Sequence, residues 1–326
     1  MMKTSEIAQE INRRKLLGES MEFIKQAFNI SEEKWRSCCL KAYSINLDRA
    51  RKDRKKDQEK RHVGSTSVKD ILKIIELNKI LGNYALLLPI FSTMTDFHRL
   101  EQLKNELPTS EKTILNHVGK LTMHPKMRVM QKLGRIEKFE YFKQFAKLID
   151  AAVLSYYRTN FISCYFTLIP VIEGIIIRWM GFQQSEVKPE FEDVRKFFKK
   201  ASLRNPNPTN ILFHDVYIQI CDKILNEHFY RPTTNGNAHS HFNRHVASHL
   251  LIEEEFATRQ NCIRLFLLLD TMTEIYFYES GEIDPRFNLG NEETEKDLAA
   301  YYNVLLQNTE KTAEQILLGS SPLDLL

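Results

Sequence analysis

Turn-forming residues are scarce. The chain has 11 Gly and 10 Pro in 326 positions, too few for the many short strands and tight turns of a β-sandwich or β-barrel, so a mostly helical, all-α chain is expected. Cysteine is equally thin. Cys38, Cys39, Cys164, Cys221 and Cys262 make an odd set without a CxxC pair, which excludes a disulfide scaffold and a thiolate zinc site; reduced, mostly buried thiols are expected. Long apolar runs are missing too. Ile80–Thr95 and Thr159–Ile172 are free of charge for 16 and 14 residues, and each contains a proline. Both fall short of the roughly 20 apolar residues that a bilayer requires, so no membrane span is expected. The first twenty residues, MMKTSEIAQEINRRKLLGES, lack an apolar core ahead of a small-residue cleavage site, which argues against secretion and for a cytoplasmic location. No HExxH is present, and no repeat of 20 to 50 residues is visible.

What is there is a large apolar inventory, 43% of the chain, beside 27% charged residues. That is enough to build one large or two modest domains. The formal charge of +4 is concentrated in Ser44–His62, where eight Lys and Arg face four acids. Such a run suits either a solvated helix with opposite-charge pairs four apart, such as Asp48 with Lys52 and Asp57 with Arg61, or contact with an RNA backbone. The stretch from Gly281 to Leu326 carries nine acids and three bases and is not expected to touch nucleic acid.

The apolar spacing of VKDILKIIELNKIL predicts a helix ending near Gly82–Asn83. A second is expected to run from Tyr84 to Leu107 with a bend at Pro89. Thr109–Ser110–Glu111 offers the start of an amphipathic run to Leu133, broken at His124–Pro125. Gly134 is the expected boundary. Beyond it, Ile136–Arg158 and Asn160–Met180 read as two long helices joined at Thr159, the second apolar on nearly every side and kinked at Pro170. Shorter helices over Pro189–Ala201 and Asn210–Glu227 follow, then an irregular stretch, then a long amphipathic helix ending near Tyr278. Short links between long helices favour an antiparallel bundle.

Four of the ten histidines, His239, His241, His245 and His249, fall within eleven residues, with Arg244 among them. A helix already running through Ser240 would put His241, His245 and His249 on one face; alternatively, Asn243 caps a helix that starts at Arg244. Three chemistries compete. Zinc binding suits His at four-residue spacing but usually recruits a carboxylate or cysteine. Structural histidines need no ligand. Metal-free acid–base chemistry on a phosphodiester needs an imidazole to move protons near neutral pH and a guanidinium fork for phosphate oxygens. RNA carries its own nucleophile, the 2′-hydroxyl, so positioning, proton transfer and charge stabilisation suffice.

The run Asn243–Arg244–His245–Val246–Ala247–Ser248–His249 resembles the Arg, polar residue, three residues, His motif of the HEPN domains. The preceding pair of long helices and the LFLLLDTMTEIYFY helix are similar to that family's bundle. The resemblance covers Ile136 to Ser280. Composition alone would produce an Arg followed by Asn, Asp or His with a further His at the fifth position about 0.1 times in such a chain. Three regions are expected: a helical N-terminal region over 1–134 of no assigned family, the HEPN-like bundle over 135–280, and an acidic helical tail over 281–326. The resemblance implies a metal-independent endoribonuclease without cofactor, of the toxin or antiviral-defence type. Its site would form between two copies, so a homodimer with a composite active site is expected, restrained by a regulatory or antitoxin partner. Carried over, Arg244 holds the scissile phosphate and His249 transfers a proton. His245, at the polar position, orients the others or contacts phosphate, and Asn243 caps or bonds the backbone. Glu173 resembles the acid that faces the motif from an earlier helix; a buried acid paired with some Arg is the alternative. His239 and His241 lie outside the motif. Tyr156, Tyr157, Phe161 and Tyr165 either stack bases or pack in the core. His249 is followed by Leu250–Leu251 where many members carry Gly, so the local turn is expected to differ. The competing class is a non-catalytic HEPN module that binds RNA, nucleotide or a partner protein.

Overall fold

A computed structural model describes residues 3–16, 19–58, 68–182, 189–200, 211–232, 242–249, 256–280, 291–307 and 317. Among them every regular element is helical and no strand occurs, so the fold is all-α. Three helices, α1 (Thr4–Leu16), α2 (Met21–Phe28) and α3 (Glu32–Gln58), bury Ile7, Ile11, Ile24, Trp35 and Cys38 in a small core of their own. Ser20 starts α2 by accepting the Phe23 N–H at 3.3 Å. Asn29 ends it in the left-handed region at φ 42°, a conformation that asparagine tolerates better than most residues.

A second, much larger core runs from Leu77 to Val304. Its elements are α4 (Val68–Gly82), α5 (Met94–Leu103), α6 (Glu111–Thr122), α7 (Pro125–Gln131), α8 (Glu140–Lys143), α9 (Ala146–Tyr157), α10 (Phe161–Trp179), α11 (Phe191–Arg195), α12 (Phe197–Lys200), α13 (Ile211–Lys223), α14 (Arg244–Ser248), α15 (Arg259–Ser280) and α16 (Asn291–Gln307). The break at His124–Pro125 falls where the sequence puts it: Pro125 occupies the first turn of α7, where its missing N–H costs nothing.

The structure corrects the sequence reading in several places. The helix expected from Tyr84 begins instead at Met94, where Thr93 and Asp96 form a reciprocal capping box. Residues 83–93 are an irregular segment whose Leu86, Leu87 and Leu88 are buried. Their apolarity reflects core position, and the buried Asn78 accepts the Leu88 N–H at 2.8 Å, which satisfies a backbone group that no helix serves. Gly134 does not separate two domains. It is buried between Leu133 and Arg135 in a π-turn, Lys132–Ile136, and the large core continues across it. The helix expected over Ile136–Arg158 is two, α8 and α9, because the turns around them deliver Phe139 and Phe142 to the interior, both fully buried.

Helix α15 is buried on nearly every side, not amphipathic against solvent. Its polar side faces α7 and the π-turn, where three pairs form a ladder. Arg128 pairs with Asp270, Gln131 Nε2 donates to Thr273 Oγ1 at 3.3 Å, and Arg135 Nη2 donates to Glu274 Oε2 at 3.0 Å. The partners on α7 and the π-turn lie three and four residues apart, those on α15 three and one. α10 has a mean hydropathy of 1.7 over its most apolar window and is, among the described residues, the one helix long and apolar enough to cross a membrane. In this fold it packs against α9 and α15 with Cys164, Leu168, Ile172, Ile175 and Ile176 fully buried. α16 closes the bundle: Lys132 Nζ reaches Asp150 at 3.1 Å and Asp297 at 2.9 Å, and Tyr301 is buried beside them.

Candidate functional site

Glu173 owes its place to the way α10 is held. Asn160 caps the helix, accepting the Ser163 N–H at 3.0 Å, after a reversal at Thr159, where φ is 62°. One helical turn before Glu173, Pro170 is exposed and leaves that stretch of the outer face open. Beside it, a Cβ on Gly174 would lie 2.7 Å from Cζ of Phe145, so glycine lets that ring approach the helix backbone. The stripe Phe166, Pro170, Glu173 therefore faces outward while Ile172 and Ile176 fill the core.

The opposing motif sits on α14, five residues long. Of the two starts the sequence allows, the structure selects Asn243. Its Oδ1 accepts the N–H groups of His245 at 2.8 Å and Val246 at 3.3 Å, and its Nδ2 donates to the Arg231 carbonyl at 2.7 Å. One asparagine therefore starts the helix and pins it to the chain leaving the π-turn Ile224–Phe229. Phe242, Val246 and Ala247 are buried and anchor the inner side; Arg244 and His245 are half-buried and His249 is exposed. Asn243→Ala is expected to destabilise the chain by about 1–2 kcal/mol and to lower any activity further, because Arg244 follows the cap directly. Chemical denaturation beside an activity assay checks both.

Arg244 Nε donates to Glu173 Oε1 at 2.7 Å, joining two elements 71 positions apart in sequence. Among the described residues its Nη1 and Nη2 make no hydrogen bond. The fork is thus held, among the described residues, by one nitrogen. The rings of His245 and His249 lie nearly parallel, 6° apart, with centroids separated by 6.0 Å. Neither ring makes a hydrogen bond to a described residue. Burial, then the charge of Arg244 and that of His249, push the His245 imidazole below its ordinary value against the opposing pull of Glu173.

Two aromatic side chains that the sequence reading did not single out complete the site. Phe191, at the start of α11, sets its ring 5.5 Å from His245, 5.0 Å from Tyr230 and 5.9 Å from the Arg244 guanidinium carbon. Tyr230 is buried next to Glu173, and burial followed by that carboxylate's charge drives its hydroxyl well above the ordinary tyrosine value. Neither stands near the motif in sequence, and no local pattern marks them.

The remaining candidates separate. Tyr156, Tyr157, Phe161 and Tyr165 are buried; Tyr157 Oη donates to the Met123 carbonyl at 2.8 Å and Arg259 Nε donates to Tyr156 Oη at 3.2 Å. They are core residues and offer no surface to a base. His239 and His241 lie outside the described residues. Among the described residues no group of three or more His, Cys, Asp or Glu side chains is arranged to hold a metal ion. No protein-family model matches the chain, and no curated protein or solved structure matches it either.

Proposed function

We propose that this chain is a metal-independent endoribonuclease of the HEPN type, acting as a homodimer in the cytoplasm as a toxin or antiviral-defence effector. The observation that carries the reading is the Arg244 guanidinium. It is fixed by Glu173 through Nε, its Nη groups hydrogen-bond to no described residue, and it stands next to two imidazoles whose nitrogens no described residue engages.

In this reading Arg244 grips non-bridging oxygens of the scissile phosphate with its Nη groups. An imidazole removes the proton from the 2′-hydroxyl, whose oxygen bonds to phosphorus as the bond to the 5′-oxygen breaks. A second imidazole delivers a proton to that leaving oxygen, giving a 2′,3′-cyclic phosphate and a 5′-hydroxyl. His245, held neutral by burial and by the guanidinium beside it, suits the base; His249, exposed, suits the donor. Two copies facing each other would pool two Arg244 and four imidazoles around one strand. The small N-terminal core and the basic run of α3 then form the regulatory part, where a restraining partner would bind.

Incubation of the full chain with single-stranded RNA in EDTA tests this directly. Cleavage with 2′,3′-cyclic ends, and an intact DNA oligonucleotide of the same sequence, are expected, because DNA lacks the attacking hydroxyl. Comparable cutting of DNA rules the mechanism out, and loss of activity with chelator points to the zinc reading. Binding without cleavage leaves the non-catalytic module as the second reading.

The pH profile follows from the imidazole shift. Because the folded His245 binds its proton less readily than an unfolded one, the neutral base persists below the ordinary imidazole value of 6.5. The acid limb of the rate profile is expected below 6.5, with rates rising as pH increases through it. Linkage has the same sign: the unfolded chain takes up this proton first, so stability falls as pH drops from 6.5 toward the folded value. A His245→Asn variant should lose that limb.

A further inference from the structure

We propose that Phe191 is a nucleobase-binding surface, the ring on which the base next to the phosphate held by Arg244 stacks. The inference rests on the ribonuclease reading and adds a subsite to it.

Phe191 is 42% exposed, one of twelve large apolar side chains left open to solvent among the described residues. Its position sets it apart from the others. Phe23, 60% exposed, lies on α2 in the small N-terminal unit; Phe191 touches both residue types that would handle the phosphate. The ring is braced by Tyr230, nearly perpendicular to it at 5.0 Å, and by His245 at 5.5 Å. Val194, on the next turn of α11, is buried and ties the short helix to the core. A braced aromatic ring with open area has little rotamer freedom left to lose, which makes stacking on it effective.

The neighbouring charge names the ligand class. A flat apolar ring with a guanidinium carbon over it, 5.9 Å from its centroid, pairs an aromatic contact with an anion contact at a spacing that one nucleotide spans. A fatty or aliphatic ligand would leave the guanidinium unused, and a free phosphate would leave the ring unused. Base stacking on an aromatic ring is tolerant of sequence, because every base has a π-face. The site is therefore expected to require a base at this position without strong choice among the four.

The test uses the full chain and a single-stranded RNA carrying 2′-O-methyl groups, which cannot be cut, with one abasic position moved along the strand. Binding is read by fluorescence anisotropy and oligomeric state by light scattering. Wild type should lose affinity about tenfold when the abasic position falls beside the scissile linkage. Phe191→Ala should bind the intact strand about tenfold more weakly and be indifferent to where the base is missing. Phe191→Tyr and Phe191→Trp should retain affinity, and Phe23→Ala should behave as wild type. Equal affinity of wild type and Phe191→Ala, or uniform indifference of wild type to the abasic position, overturns the subsite and leaves the nuclease reading standing if RNA is still cut. Conversion of a dimer to a monomer by Phe191→Ala also overturns it, since the ring would then be covered by a second copy. If wild type binds no RNA, the nuclease reading and the subsite fall together.

Discussion

Arg244→Ala is expected to lower RNA cleavage by at least 10²–10³-fold, the usual cost of removing one charge-stabilising donor from a phosphoryl or acyl transfer site. The loss should fall on kcat more than on KM, because extra charge develops on the phosphate only as the reaction proceeds. Lysine restores the charge but not the fork: it cannot donate through Nε to Glu173 while presenting two further nitrogens outward. Arg244→Lys should therefore recover little. Glu173→Gln should be milder than Glu173→Ala, since an amide oxygen still accepts the 2.7 Å bond from Arg244 Nε, whereas alanine frees the guanidinium to swing. His249→Ala should cost 10²–10⁴-fold, and combining it with Arg244→Ala should cost much less than the product of the two if they act as one unit. Single-turnover cleavage of a labelled RNA reads all of these. An Arg244→Ala protein that still folds and cuts at the wild-type rate would end the proposal.

The largest effect on stability is expected at Asp270, far from the motif. Its carboxylate and the Arg128 guanidinium form an ion pair whose side chains are 5% and 1% exposed. Arg128 also lies over the Phe266 ring at 5.3 Å. Asp270→Ala strands a cation in a buried interface, which typically costs about 3–5 kcal/mol. Replacing both partners, as in Arg128→Met with Asp270→Leu, removes the stranded charge and should recover most of that loss. Equilibrium unfolding in urea compares the two: the double variant should be the more stable. If Asp270→Ala unfolds within about 0.5 kcal/mol of wild type, the pair does not hold α7 to α15.

The same ladder shows where sequence reading stops. Local rules located the break at Pro125, the helix junction at Thr159 and the all-helical class, because proline geometry, helix-start preferences and scarcity of turn formers act within a few residues. They failed at Leu86–Leu88 and along α15. A buried irregular segment and a buried helix carry the same apolar composition, and only their partners tell them apart. The charged residues of α15 look like a solvent-facing side until Arg128, Arg135 and Glu111 are found opposite Asp270, Glu274 and Arg264.

For the site, the order of residues from Asn243 to His249 was enough to name a guanidinium, two imidazoles and a helix cap, since these depend on residue type and spacing along a few turns of chain. The sequence also offered Glu173, without saying which arginine it meets. Tertiary structure made that choice, and it added Phe191 and Tyr230 to the same surface. Such meetings across 71 positions depend on how helices cross and which faces they bury, and no local preference encodes that.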